Sequence, residues 1–337
     1  MLKIINNEVH DKQYNFFIIA SPLQLFNAIE AIEFFKTKNN VLFVVYIDDK
    51  LSLLQIKRLL KYAVWEHIEY ILFPKTIKEK IIFANKIDKR LSYWKDKNFL
   101  KIFVGEYRST HVNHIVNFFN SKNIYLLDDG LALLSYSSRR EKISYKDKLI
   151  QSIYQLCFYK LSTINYTFFT IFDLEQEKII KNNYTFFKRY IEKKEIEEVV
   201  YFIGQSSIEK SLKDISEYKN ALIKILKFYK NKNFVYILHR RQNDTIIKQL
   251  SLELGFECKR FDNLIELEII FSSKIPSNFG TFFSTGIMTL PKFFDRAKYT
   301  AFQFDYKYFK DQTLKRKNIV EDCYIEFTKN DIEVQLI

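Results

Sequence analysis

The chain is predicted to be an α/β protein made of two successive parallel-sheet domains, and three observations predict it. Short β-rich runs alternate with longer helical runs through both halves of the sequence, the pattern left by a parallel sheet with crossover helices. The length of 337 residues exceeds what one hydrophobic core usually serves, so two domains of roughly 150 residues each are expected. Hydrophobic residues make up 47% and aromatics 17%, against only six Gly and four Pro, a composition of packed domains rather than of a disordered chain. The abundance of Lys, Ile, Asn and Phe fits an AT-rich genome as much as any physical demand, so the aromatic content by itself says little about function.

Taken in order, the first half offers strand then helix at 14–20 and 23–35, at 41–47 and 51–62, and at 68–73 and 78–94. A strand at 100–104, a helix at 110–120 and a strand at 124–127 follow, with a further strand or buried segment at 166–172. From 173 to 198 the chain turns charged and helical, which places an N-terminal domain at 1–175, a helical linker at 176–198 and a C-terminal domain at 199–337. The second half repeats the logic: strand 199–204, helix 216–229, strand 234–238, helix 244–254, strand 256–260 and helix 263–271. An extended stretch at 273–278, a helix at 286–294 that Pro291 is placed to kink, and a strand at 298–303 complete it. Two Rossmann-like halves result, with no internal repeat and no low-complexity linker.

The net charge is +13, a balance that attracts polyanions: nucleic acid, anionic lipid headgroups or a phosphorylated acceptor. Scattered lysines that solvate helix faces are the alternative, since signs alternate locally at 188–198 and no continuous basic arm exists. Cys157, Cys258 and Cys323 lie far apart without Cys-x-x-Cys spacing and read as reduced, buried thiols. The apolar run at 16–20 is far shorter than the ~20 residues of a membrane span. Residues 6–13 before it carry mixed charge, unlike a signal peptide. A cytoplasmic protein is expected.

Four groups of residues can carry chemistry. Asp128-Asp129-Gly130 follows the apolar run 124–127, so a strand delivers two carboxylates to a glycine turn at the edge where open α/β sheets bind ligands. One acid can serve as a base while its neighbour holds the backbone; an Asx turn or helix N-cap is the plain alternative. His239-Arg240-Arg241 ends the strand 234–238 and gathers three donors suited to a phosphate, or forms a solvated basic loop. Ser284 and Thr285 precede Gly286 at a helix start, where hydroxyls and backbone N–H groups bind anions or cap the helix. His111 and His114 share one helix face, but no further ligand of zinc-like spacing accompanies them, so a structural or substrate-lining role is expected and no metal site. Asp48-Asp49 is read as a turn. Strand ends at Val104-Gly105-Glu106 and Gly204-Gln205-Ser206-Ser207 are polar or glycine-containing as well. Gly-x-Gly-x-x-Gly, Gly-x-x-x-x-Gly-Lys-Ser/Thr, Gly-x-Ser-x-Gly and His-Glu-x-x-His are all missing, which removes support for dinucleotide enzymes, P-loop ATPases, α/β-hydrolases and zincins.

The order Asp-Asp-Gly, then a strand ending in His, then a Ser/Thr pair resembles the bacterial sialyltransferases, with their Asp/Glu-Asp-Gly, His-Pro and Ser-Ser/Thr motifs. Ala20-Ser21-Pro22-Leu23-Gln24, Ile203-Gly204-Gln205 and Leu238-His239-Arg240-Arg241 sharpen the likeness to glycosyltransferase family 52, the lipooligosaccharide and capsule sialyltransferases. The likeness spans about 15–305, and its specificity lies in the order and spacing of the motifs. Arg240 stands where His-Pro would have proline, and Thr285 where Ser-Ser would have serine.

The resemblance implies a GT-B fold, two Rossmann-like domains facing a central cleft, with CMP-sialic acid as donor and no metal or other cofactor. Asp129 would be the general base and Asp128 its supporting neighbour. His239 would stabilise the departing phosphate with Ser284 and Thr285, and Gly204, Gln205 and Arg240 would belong to the donor side. The acceptor would be a glycan hydroxyl, on galactose in the leading reading and lipid-linked in one version. Peripheral contact with the anionic inner membrane, no nucleic acid, and a homodimer as an open option complete the expectation. Asp214 and Glu217, near the next helix start, could contribute or be plain surface charge. A hexosyltransferase using a nucleotide diphosphate sugar is the alternative within the class; a nucleic-acid-binding protein or a non-catalytic glycan-binding module stands further off.

Overall fold

A computed structural model describes residues 12–46, 49–119, 121–136, 145–174, 176–191, 194–205, 211–311 and 313–337. The chain divides into two compact units, Met1–Asp129 with Ser138–Asn182, and Gly130–Ser137 with Asn183–Ile337.

Unit 1 holds β1 (Gln13–Ile19), α1 (Pro22–Phe35), β2 (Asn40–Tyr46), α2 (Lys50–Leu59), β3 (His67–Leu72) and α3 (Ile77–Leu91). It continues with β4 (Asn98–Val104), α4 (Thr110–Phe118), β5 (Ile124–Leu127), α5 (Tyr145–Leu156), β6 (Thr167–Thr170) and β7 (Ile179–Lys181). The seven strands form one parallel sheet in the order β3-β2-β1-β4-β5-β6-β7. Residues 14–19 are buried without interruption, as expected of a central parallel strand covered on both faces. The winding direction reverses between β1 and β4, the switch point at which such sheets open a crevice.

Unit 2 holds α6 (Thr185–Lys188), β8 (Glu195–Ile203), α7 (Ile215–Phe228), β9 (Asn233–Leu238), α8 (Asp244–Leu254), β10 (Glu257–Arg260) and α9 (Ile265–Ile270). Then come β11 (Lys274–Thr281), α10 (Gly286–Thr289), β12 (Lys298–Gln303), α11 (Leu314–Lys329) and β13 (Glu333–Leu336). Its six strands are also all parallel, in the order β10-β9-β8-β11-β12-β13, with the switch between β8 and β11. The core packs Phe202, Tyr218, Leu222, Tyr236, Phe282 and Phe302.

Several elements differ from the sequence-based expectation for local reasons. The stretch 176–198, expected to be a helical linker, holds β7, the one-turn α6 and the first residues of β8. β11 runs past the expected extended stretch to Thr281 and absorbs Pro276 at a register irregularity against β8, where a missing N–H is tolerated. The helix expected at 286–294 is the four-residue α10 followed by a 3-10 turn at Leu290–Lys292 containing Pro291. Residues 130–137, counted with the N-terminal domain from sequence, pack with unit 2: Leu133 and Tyr136 are buried, and the 3-10 turn Ala132–Ser135 touches α11.

Candidate functional site

In unit 1 the carboxyl ends of β1, β4 and β5 converge on Asp129. Ser21 caps α1 by accepting from the Gln24 N–H at 3.3 Å, with Pro22 pre-set in the first turn. The cap fixes the Gln24 side chain, whose Oε1 accepts from the Ala20 N–H at 2.6 Å while Nε2 donates to Asp129 Oδ1 at 2.7 Å. Gly105, after β4, is required by this arrangement: a Cβ there would lie 2.4 Å from Gln24 Oε1. Three residues on, Arg108 donates to Glu106 through Nε at 2.7 Å and through its terminal nitrogen at 2.6 Å, and pairs with Asp129 Oδ2. The hydrogen bond to Glu106, then its charge and that of Asp129, raise the Arg108 pKa above its ordinary value, so the guanidinium stays charged.

The paired acids split as strand alternation requires. Asp129 keeps 16% of its side chain exposed, whereas Asp128 is 2% exposed. Asp128 Oδ2 accepts from the Ile171 N–H at 2.9 Å, and its carbonyl accepts from Asn27 Nδ2 at 3.1 Å, so it ties β5 to the end of β6 and to α1. Burial pushes its carboxyl up to about 7. Gly130 then turns the chain at φ +67°, and a Cβ on it would lie 2.3 Å from Thr285 Oγ1; that oxygen accepts from the Leu131 N–H at 3.1 Å. Glycine is needed here for conformation and for space.

In unit 2 the expected donor residues gather at the carboxyl edge of the sheet, around its switch point. Gly204 and Gln205 follow β8, His239 and Arg240 follow β9, and Ser284 and Thr285 follow β11. The β9 loop is held tightly. Arg260, on β10, donates to the carbonyls of His239 at 2.7 Å, Arg240 at 3.0 Å and Gln242 at 2.8 Å. Buried Gln242 donates to the Tyr236 hydroxyl at 3.0 Å and accepts from the His239 N–H at 3.3 Å, and a Cβ at Gly204 would lie 2.6 Å from its Oε1. His239 Nδ1 accepts from the Arg241 N–H at 3.1 Å, so the neutral ring carries its proton on Nε2 and offers a donor there. Gln205 is buried, with no hydrogen-bond partner for Oε1 among the described residues; residues 206–210, which include Ser206 and Ser207, lie outside them.

Thr281 joins the switch-point strands: its hydroxyl donates to the Ile203 carbonyl at 2.8 Å and accepts from the Ser284 N–H at 3.3 Å. Ser284 Oγ accepts from the Gly286 N–H at 3.4 Å. With α10 only four residues long, a long helix does not stand behind Ser284 and Thr285, so hydroxyls rather than a macrodipole are what this loop offers an anion.

The remaining sequence candidates have structural settings. Asp214 caps α7 by accepting from the Ser216 N–H at 2.9 Å, which lowers its pKa, and Glu217 lies in the first turn. Asp49 caps α2 through the Ser52 N–H at 3.1 Å, while Asp48 lies outside the described residues. His114 is held between the Asp88 carboxylate at 2.9 Å and the Lys160 N–H at 2.7 Å. His111 stacks on Phe73 at 4.5 Å, and burial, then the charge of Lys80, depresses its pKa to about 4. Among the described residues no cluster of three or more His, Cys, Asp or Glu is placed to hold a metal ion.

Sequence reasoning did not single out Arg108, Gln242 or Arg260 as site residues, Gln24 entered only as part of a turn motif and Glu106 only as part of a polar strand end. One further group was missed: Glu266 on α9, buried, accepts from Thr289 Oγ1 at 2.5 Å. Burial raises its pKa, and the charge of Arg240 acts against that shift. Two glutamates, Glu266 and Glu268, among the Ile and Leu of a short helical run were the available signal.

Two parallel-sheet α/β units of this kind constitute the GT-B fold. No family model matches the chain, and no curated protein does. Among solved structures it is similar to a sialyltransferase from Photobacterium damsela, at 11% identity and a TM-score of 0.53 over 96% of this chain and 81% of that one. Arabidopsis thaliana UGT89C1 complexed with UDP gives the same identity and TM-score over 96% and 86%. A Listeria monocytogenes protein assigned as a UDP-N-acetylglucosamine 2-epimerase gives 11% and 0.53 over 86% and 79%. These likenesses establish the fold; the likeness to family 52 rests on the order of the motifs.

Proposed function

We propose that the protein is an inverting, metal-independent sialyltransferase that moves sialic acid from CMP-sialic acid to a hydroxyl of a terminal sugar, galactose in the leading reading, on a bacterial surface glycan. The observation that carries this reading is the gathering of Gly204, Gln205, His239, Arg240, Ser284 and Thr285 at one sheet edge of unit 2, in a chain whose unit 1 presents Asp129 at the equivalent edge. Asp129 is the base: exposed enough to be reached, it takes the proton of the acceptor hydroxyl as that oxygen attacks the anomeric carbon. The bond from that carbon to the phosphate oxygen breaks, and CMP departs with the electron pair. His239 Nε2–H and the Ser284 and Thr285 hydroxyls donate to the phosphate as its charge develops. A monophosphate leaving group carries less charge than a diphosphate, which suits hydrogen-bond donors acting without a cation. Asp128 positions rather than reacts, since it is buried and its Oδ2 serves the β5–β6 connection.

A hexosyltransferase using a nucleotide diphosphate sugar is the second reading, favoured by the UDP-bound neighbour of the same fold. Calorimetry with CMP and UDP separates them. CMP is expected to bind more tightly than UDP and to lose about tenfold in affinity, some 1.4 kcal/mol, in His239→Ala; preferential UDP binding would favour the second reading.

A further inference from the structure

The two oxygens of Asp129 are held in different ways. Oδ1 accepts from Gln24 Nε2 at 2.7 Å, and Gln24 is 1% exposed, with its amide oriented by the Ala20 N–H on Oε1 at 2.6 Å. That contact is built into the packed junction of β1 and α1. Oδ2 is held by Arg108, whose side chain is 32% exposed and has a second anion at hand. Glu106 accepts from the Arg108 backbone N–H at 2.7 Å, from Nε at 2.7 Å and from a terminal nitrogen at 2.6 Å. The backbone on either side is fixed: the Gly105 N–H donates to the Ile18 carbonyl at 2.8 Å, and Ser109 caps α4 by accepting from the Val112 N–H at 3.3 Å. The guanidinium can therefore leave Asp129 by side-chain rotation alone, with the loop in place and its charge still matched by Glu106.

A carboxylate oxygen that accepts from a guanidinium takes up a proton less readily, so a nucleophile must displace the arginine before it can hand its proton to Oδ2. Water brings nothing with which to do so. A sugar bound through its other hydroxyls does, because binding energy from parts of a substrate remote from the reacting atom can rearrange a site. We propose that Arg108 is a positioning residue, a latch on Asp129 Oδ2 that an acceptor sugar opens and water does not, with Glu106 as its resting partner. The latch suppresses donor hydrolysis, in which a water oxygen bonds to the anomeric carbon, the bond from that carbon to the phosphate oxygen breaks, CMP keeps the electron pair and a water proton passes to Oδ2. The inference rests on the reading of Asp129 as the base, and adds to it which oxygen takes the proton and what guards that oxygen.

Hydrolysis of CMP-sialic acid in the absence of acceptor, and transfer to lactose, measured on the full chain and its variants, test the latch. Arg108→Gln is expected to raise hydrolysis about tenfold, the contribution of one charge-assisted hydrogen bond, while transfer changes little, so that the ratio of hydrolysis to transfer rises. A residue that merely supported the loop would give a loss on substitution, not a gain. Arg108→Lys keeps a cation beside Glu106 without the planar fork, and its hydrolysis is expected to lie between wild type and Arg108→Gln. Glu106→Gln removes the resting partner, leaves the guanidinium on Asp129 and should lower both rates. Hydrolysis that stays level or falls in both Arg108 variants, or that rises in Glu106→Gln, would overturn the latch, while loss of all turnover in Asp129→Ala would leave the base reading standing. A wild-type chain that turns over no CMP-sialic acid, or turnover that survives Asp129→Ala, would remove that reading and the latch with it.

Discussion

Asp128 and Asp129 are neighbours in sequence with opposite environments, and each has its own measurable consequence. A carboxyl raised from 3.8 to about 7 in the folded chain stays protonated there over a pH range in which the unfolded chain has already released its proton. The sign follows: the folded state binds more protons between those two values, so stability falls as pH rises from about 4 to about 7 and stays lowered above that range. Asp128→Asn keeps the acceptor for the Ile171 N–H and cannot ionise. In urea titrations its stability relative to wild type is expected to improve from pH 5 to pH 8, and a constant difference would contradict the burial argument. Gly130 makes the second residue-scale prediction. Gly130→Ala meets a left-handed φ and the Thr285 hydroxyl together, at a cost of about 1–3 kcal/mol. Thr285→Ala on that background should recover the steric part only, which a double-mutant cycle in denaturant measures. Of this region, the acid pair and its glycine were legible in sequence because a strand, two acids and a turn are contiguous. Gln24 and Arg108 were not, because they reach Asp129 only after three separate strand ends have been brought together by the sheet.

At the scale of elements, the loop after β9 owes its shape to one side chain from the next strand. Arg260 satisfies three carbonyls at once, so Arg260→Met leaves three acceptors without their donor and frees the peptide that carries His239. The expected outcome is a donor KM about tenfold higher, equivalent to about 1.4 kcal/mol, with β10 still paired and the unfolding temperature little changed; an unaltered KM would mean that the loop holds its shape without the arginine. Most strands were readable because both faces of a central parallel strand are buried and its sequence is one apolar run, as at 199–203. α5, α11 and β13 were not assigned, and β7 fell in the stretch expected to be helical. β7 and β13 are short edge strands with little burial, α5 keeps its apolar arc outward, and none of these gives the signal that a core-facing element does. The helix expected at 286–294 was shortened by Pro291, whose lack of an N–H counted for more than the apolar spacing that suggested a longer helix.

At the scale of the whole molecule, the fold sets where chemistry can occur and the site residues set which chemistry it is. Two parallel sheets each reverse direction once; the acids singled out from sequence follow β5, one strand from the reversal of the first sheet, and the donor residues follow β8, β9 and β11 around the reversal of the second. The fold is shared with proteins of differing activity, so it does not choose the donor. In the proposed reading that choice rests on Asp129, His239 and the Ser284-Thr285 pair. The most direct measurement is a donor screen on the purified chain, comparing CMP-sialic acid with UDP- and ADP-sugars and following release of the nucleotide. The account predicts turnover of CMP-sialic acid that falls by about 10²–10⁴-fold in Asp129→Ala, the contribution of a positioned base, and falls strongly in His239→Ala as well. Turnover of UDP-sugars alone, or CMP-sialic acid turnover that survives both substitutions, would contradict it.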